Sequence, residues 1–355
     1  VTGFAAYISL TPRESKVRIP INTASRSASV KATIIAILTL ALLIPLQMIK
    51  SIVFDRQDNE SIAVADIQNS WGGEQTVSGP VLKLPYRVEN TTVYGLSYAD
   101  EKIVYLLAKD LRAHADVVIE ERYRGMHRVP VFNAAVTASV QFDFTALDSL
   151  GIADEQILWS GAELYLGISD PMAISEIPRL VADDTEVEFT ASSEGIDGLP
   201  SELRVSLGRQ FDKPLPGGEL EFDVLLNLNG SGSLTFLPLA DHAAVTMSGD
   251  WNSTSFTGRR LPAHREVRDD GFDASWTSTR IGRKLPSAWI ERHEQPPSIG
   301  RGAFGARFIQ PVGLYQVIER STKYAVLIIG LTFVAYFLME VVCNLRLHPL
   351  QYLQV

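Results

Sequence analysis

At 355 residues, 46% hydrophobic and 21% charged, the chain is long enough for more than one domain and can bury a sizeable core. Its formal charge is −9, which argues against a nucleic-acid surface, because phosphates are neutralised by clustered Lys and Arg. The one cysteine, Cys343, ends the last apolar run, which leaves no disulfide or thiolate metal site for the polar part of the chain.

Residues 1–31 carry Arg13, Lys16, Arg18, Arg26 and Lys31 against Glu14 alone. The run "ATIIAILTLALLIPLQMI", Ala32–Ile49, comes next with no charge, long enough for a helix to cross about 30 Å of hydrocarbon. Pro45 stands near its far end, where a kink is tolerable. A basic flank before an apolar run also suits a cleaved signal peptide. Here, however, Gln47, Met48, Ile49 and Lys50 are large or charged, and the first small pair, Ala63 and Ala65, lies beyond "DRQDNE". The run is therefore read as an uncleaved anchor. The positive-inside rule makes residues 1–31 a cytoplasmic segment, residues 32–53 a transmembrane helix, and the domain after that helix external.

The helix is expected to continue through "SIVFDRQDNESIAVADIQNSWG" to about Asn69 and to break at Trp71-Gly72-Gly73. Beyond it, "ADVVIEERYRG", "VTASVQFDF", "TEVEFTAS", "ELEFDVLLNLNGSGSLTFLPL" and "AAVTMSGDW" alternate apolar and polar residues with β-branched and aromatic enrichment, the pattern of half-buried strands. "NGSGS" reads as a hairpin turn within Glu219–Leu239. "NAAVTASV" and "MAISEIPRLVA" fit helix or strand, and "RHEQPPSIGRGAFG" reads as a loop. The predicted fold is membrane-anchored and mainly β: a large antiparallel β-sandwich-like periplasmic domain, residues 54–320, between two transmembrane α-helices.

Motifs for chemistry are sparse. "GRGAFG", Gly300–Gly305, matches G-x-G-x-x-G but lacks the preceding strand and following helix that a phosphate cradle needs. His114, His127, His242, His264, His293 and His348 form neither HxH nor HExxH, and no G-x-S-x-G occurs. The acidic pairs Glu120–Glu121, Asp183–Asp184 and Asp269–Asp270 read as split across strand faces or solvated in turns. The basic stretch "GRRLPAHREVRD", with Arg259, Arg260, His264, Arg265 and Arg268, could meet anionic headgroups. Glu266, Asp269 and Asp270 beside it favour local salt bridges.

The chain re-enters an apolar run at "AVLIIGLTFVAYFLMEVVC", Ala325–Cys343, within the predicted second transmembrane helix, residues 321–343. Its single acid, Glu340, is three residues from the end of the run. An interfacial carboxylate and one that pairs with another membrane helix are both open readings. Residues 344–355 form a cytoplasmic end.

This last stretch carries a resemblance. Arg320, Thr322, Lys323, Tyr324, Glu340, Arg346, Leu347, His348, Pro349, Gln351 and Tyr352 match the R-x-T-K-Y entry, the Glu-terminated span and the R-L-H-P-x-Q-Y exit of the CreD family. Upstream, Gly79, Pro80 and Pro85 in "SGPVLKLPY" fit the same pattern, as do Trp251, Ser255, Phe256, Gly258, Leu261 and Pro262 in "SGDWNSTSFTGRRLP" and Gly271, Phe272 and Trp276 in "DDGFDASW". The chain thus resembles that family from about Ile34 to Leu353. The resemblance implies a bacterial inner-membrane protein under two-component control, associated with envelope integrity and with altered sensitivity to colicins and β-lactams. It supplies no catalytic, cofactor-binding or metal residues, and no cofactor is expected. It also implies further spans after H-P-x-Q-Y, so the chain reads as a piece of a longer protein, with a two-span variant as the alternative. The expected partners are the lipid bilayer and an unidentified envelope protein or envelope component, with no nucleic acid. The first functional reading is a non-enzymatic envelope-integrity protein that acts by binding. The alternative is a component of a membrane transport or channel assembly.

Overall fold

The uncharged run at Ala32–Ile49 lies within one long helix, α1 (Ile21–Trp71), which Pro45 enters without ending it. The computed structural model describes residues 21–91, 94, 97–182, 185–192, 195–196, 199–200, 202–208, 219–282, 285–291, 302–310 and 314–343. The chain divides into a β unit, Asn59–Pro311, and a helical unit to which α1 up to Asp58 belongs. Two helical stretches, Ala36–Trp71 and Arg320–Met339, are long and apolar enough to cross a membrane.

In the β unit α1 ends where the sequence predicts. Gly72 adopts φ +123°, and its N–H reaches the Gln68 carbonyl at 2.9 Å. A Cβ there would stand 2.6 Å from that of Ala173, so only glycine closes the helix at this point.

Among the described residues sixteen strands come after it. They begin with β1 (Gln75–Thr91), β2 (Ser97–Arg124), β3 (His127–Asp143) and, after a single helical turn α2 (Thr145–Asp148), β4 (Glu163–Ile168). Four short strands come next: β5 (Arg179–Ala182), β6 (Thr185–Glu188), β7 (Thr190–Ala191) and β8 (Glu202–Ser206). Then come β9 (Glu219–Ser231), β10 (Ser233–Pro238), β11 (Ala240–Gly249) and β12 (Thr254–Gly258). The last are β13 (His264–Arg268), β14 (Gly271–Thr279), β15 (Ala288–Ile290) and β16 (Phe304–Phe308), with helix α3 (Leu314–Cys343) after them.

One sheet runs β13-β14-β11-β2-β3-β9-β5-β6. The other is built on β1, which pairs with β10 and then β2, and also with β4; β12 and β16 extend it beyond β10, β8 and β7 beyond β4. Their inner residues share one core, in which Leu82, Leu164 and Phe236 of one sheet meet Val136, Phe222, Leu226 and Val245 of the other. This is a β sandwich. Alternation produces it: on β9, Leu220, Phe222, Val224, Leu226 and Leu228 are buried while Glu219, Glu221 and Asp223 are exposed.

Two details depart from the sequence reading. Pairing is mostly antiparallel, but β1 with β10 and β2 with β11 are parallel. And "NGSGS" is no hairpin: β9 pairs with β3 and β5, whereas β10 pairs with β1 and β16. Gly232, at φ +77°, is a corner where the chain leaves one sheet for the other. Period-two alternation identifies a strand but not its partner, which explains the difference.

The final turns of α1 pack on β3. Ile67 joins Val129 and Val131 in a small apolar cluster with Val64 and Trp71. The Arg122 guanidinium lies 4.5 Å over the Trp71 ring, and Arg124 reaches Asp66 at 3.2 Å.

Candidate binding face

The sheet built on β1 has a second face, away from the main core. There Val81, Tyr105, Leu107 and Tyr165 form a separate apolar cluster with Ile196, Leu237, Leu239 and Leu285. Strand register sets a row across it: Ser206 opposite Glu163, Glu163 opposite Lys83, Lys83 opposite Tyr105, and Tyr105 opposite Trp289. In the next row Arg204 stands opposite Tyr165. Lys83 is the charged residue in the run Val81-Leu82-Lys83-Leu84, whose three apolar members are fully buried.

A charge so placed needs partners, and the row supplies them. The Lys83 ammonium is 3.2 Å from Glu163 Oε2 and 3.5 Å from the Tyr165 hydroxyl. That hydroxyl donates to Glu163 Oε2 at 3.0 Å, while Arg204 donates to Glu163 Oε1 at 3.0 Å. Burial by itself would pull the Lys83 pKa down; the Tyr165 hydroxyl and the Glu163 carboxylate outweigh it and hold it above the ordinary lysine value. Burial pushes the Tyr165 hydroxyl up, against the opposing effect of Lys83. Next in the row, Tyr105 donates to Glu291 at 2.8 Å and packs against Trp289 with ring centres 5.4 Å apart. Trp289, on the short strand β15, is half-buried. The face therefore combines Arg204 with a partly exposed tryptophan, two residue types enriched at binding hot spots.

A small polar cavity of about 160 Å³ opens where β2 changes partners. Leu106 and Ala108 face the core, and so do Leu111 and Ala113, which leaves a three-residue step at Lys109–Asp110. Lys109 stands 2.9 Å from Asp143 and 3.3 Å from Glu219. The Thr145 N–H and then Lys109 hold the Asp143 carboxyl below the usual range. Across the cavity Ser287 donates to both oxygens of Asp241, which Arg280 approaches at 3.3 Å, and His242 lines the wall. These charges are paired with one another. Among the described residues no group of three or more His, Cys, Asp or Glu is placed to hold a metal ion.

The motif positions sit elsewhere. Phe272 and Trp276 are buried, Trp251 and Phe256 half-buried, and all four pack on the main core. Trp276 stacks on Phe304 at 5.7 Å, Phe256 meets Trp276 at 5.8 Å, and the Trp251 indole donates to the Ile309 carbonyl at 3.1 Å. Gly258, at φ +101°, passes so close to β16 that a Cβ would collide with the Ala303 carbonyl oxygen. Gly271 similarly crosses the Gly249 carbonyl, Gly79 and Pro80 lie on β1, and Pro262 is half-buried after β12. In the helical unit Lys323 lines a groove and Tyr324 is exposed. Of Glu340 the backbone is described, within α3. Arg346, His348, Pro349, Gln351 and Tyr352 lie outside the described residues, as do Asp183, Asp184, His293 and Gly300.

Two residues of the basic stretch, Arg268 and Arg260, are engaged on their own sheet. Arg268 contacts Asp273 at 2.6 Å, Glu266 at 3.4 Å and Asp270 at 3.6 Å, and Arg260 donates to the Thr277 carbonyl. Glu120 pairs with Arg122 and Glu121 with Arg128. None of Lys83, Glu163, Tyr105 or Trp289 stands in a motif with chemical meaning. The one legible signal was a lone lysine inside an apolar strand.

Comparison with known proteins adds the family. A family model described as "Inner membrane protein CreD" matches residues 27–355. The protein "Inner membrane protein CreD" of Escherichia coli (strain K12) is 30% identical over 333 residues, covering 89% of this chain and 69% of the relative. Among solved structures, an M1 zinc metallopeptidase from Deinococcus radiodurans aligns at TM-score 0.25 and 13% identity, over 56% of this chain and 41% of the peptidase. A two-domain mutant M1 zinc metallopeptidase bound to L-tryptophan aligns at 0.24, over 56% and 42%. The chain spans less than half the length of these peptidases.

Proposed function

The chain belongs to the CreD family of inner membrane proteins, and from that premise we propose that it supports cell-envelope integrity by binding, not by catalysis, through the β unit. In this reading residues 1–31 are cytoplasmic and the β unit is periplasmic; the five basic residues ahead of Ala32 support that orientation. The binding partner is an envelope protein or envelope component.

One observation carries the reading: the row Glu163–Lys83–Tyr105–Trp289, with Arg204 beside it, on the second face of the sheet. Lys83, Glu163 and Tyr105 lie largely out of water and hold Arg204 and Trp289, the members a partner would meet, in place by hydrogen bonding and ring packing, so little further side-chain entropy is lost on binding. Trp289 offers a partly exposed aromatic anchor next to charges whose hydrogen-bonding directions are set.

The test is complementation of a strain that lacks its own CreD-family gene, scored as survival under detergent and β-lactam stress. Trp289→Ala and Arg204→Glu are expected to abolish rescue while the protein still accumulates in the membrane with its β unit folded, at a Tm lowered by the lost ring packing and the altered charge. Full rescue by both variants would remove this face from the function.

A further inference from the structure

Lys50 is the first charge after the run Ala32–Ile49, and Lys323 is the last before the run Ala325–Cys343. They stand at the ends of the two apolar segments that lead to and from the β unit in sequence. Both line one groove of about 510 Å³ between α1 and α3, whose walls include Leu43, Leu46 and Val326, with Gln47 beside the lysines. The Lys50 ammonium lies 5.6 Å from the centre of the Phe54 ring. Among the described residues neither lysine has an ion-pair partner.

We infer that this groove binds one anionic phospholipid, its phosphate held between Lys50 and Lys323 and an acyl chain laid along Leu43, Leu46 and Val326. The chemistry comes from the arrangement. Two cations part-way along a groove, with the apolar walls Leu43, Leu46 and Val326 on the side of the uncharged runs and Val53, Phe54 and Gln57 beyond, complement a ligand with a negative head and a hydrocarbon tail. A free phosphate has no use for the groove, and a zwitterionic lipid brings its own cation to compete with the lysines. Two lysines that simply snorkelled would reach for water independently and would need no shared apolar groove between them. The inference uses the membrane location of the chain and is independent of the face on the β unit.

The full chain, purified in detergent, is incubated with phosphatidylglycerol, phosphatidylcholine or inorganic phosphate, and retained ligand is counted by native mass spectrometry. One phosphatidylglycerol per chain is expected, at concentrations where phosphatidylcholine is not retained. Lys50→Gln and Lys323→Gln should each weaken retention about fivefold, the scale of one basic residue at an anionic surface. Leu46→Trp, which fills the groove and keeps both lysines, should also reduce it. Equal retention of the two lipids would overturn the inference, as would retention unchanged in the double lysine variant. Displacement of the lipid by inorganic phosphate alone would assign the lysines to a small anion and overturn the lipid.

Discussion

Glu163 accepts hydrogen bonds from three side chains, so Glu163→Gln probes the row most sharply. The substitution keeps the shape and removes the charge that Lys83, Tyr165 and Arg204 share. The side chains of Lys83 and Glu163 are 14% and 18% exposed, largely but not wholly out of water. An exposed ion pair contributes about 0.2–1 kcal/mol, and breaking a fully buried one costs about 3–5 kcal/mol. The row lies between these limits, and the cost of leaving Lys83 without its carboxylate is about 2–3 kcal/mol. Arg204 is 38% exposed and regains water, so it adds little. For a unit of this size that is a fall in Tm of roughly 4–12 °C, to be read by thermal unfolding of the detergent-solubilised chain near neutral pH. Adding Lys83→Met removes the stranded charge, and the double variant should recover about 1 kcal/mol or more over Glu163→Gln alone. A change below about 0.5 kcal/mol, or strict additivity, would refute the argument that these groups are coupled in a desolvated network.

Three further outcomes rest on named contacts. Trp276→Ala should destabilise the β unit by about 3–5 kcal/mol, and Trp251→Ala, half-buried with one hydrogen bond, by less; equal melting shifts would contradict that ranking. Gly258→Ala should cost about 2 kcal/mol or more, from positive φ and from collision with the Ala303 carbonyl, and an unchanged denaturant midpoint would show that β16 moves aside freely. Because the folded pKa of Lys83 lies above its ordinary value of 10.5, its contribution is complete below that pH and is lost as pH rises through the folded value. The raised Tyr165 acts with the same sign. Tm should therefore fall more steeply above about pH 10 in the parent than in Lys83→Met, and parallel profiles would contradict the assignment.

The parts of the fold legible in the sequence were those set by local pattern. Ala32–Ile49 has no charge, so a helix long and apolar enough to cross a membrane can be recognised there without knowing its partners. Trp71-Gly72 stops α1 through a backbone angle that the residue type announces. The alternation in β9 is visible because one face is buried along its whole length. Partner choice was not legible. The corner at Gly232 looks like a hairpin until β1 and β16 are seen to occupy both edges of β10. The step at Lys109–Asp110, where β2 passes from β1 to β3 and β11, comes from tertiary pairing and leaves no mark on composition. "NAAVTASV" fits either period and becomes a strand because β2 and β9 flank it. The candidate face was hidden for the same reason. Lys83, Tyr105, Glu163 and Trp289 come from four strands, and register alone aligns them.

The central claim is that the β unit works by binding through that row, and its most direct measurement is stress survival of a strain lacking its own CreD-family gene. The strain would carry the parent chain, Trp289→Ala or Arg204→Glu, each verified for membrane level and Tm. Rescue by the parent and none by the two variants, at equal membrane level and with the β unit still folded at the assay temperature, is the predicted result. Equal rescue by all three would contradict the account.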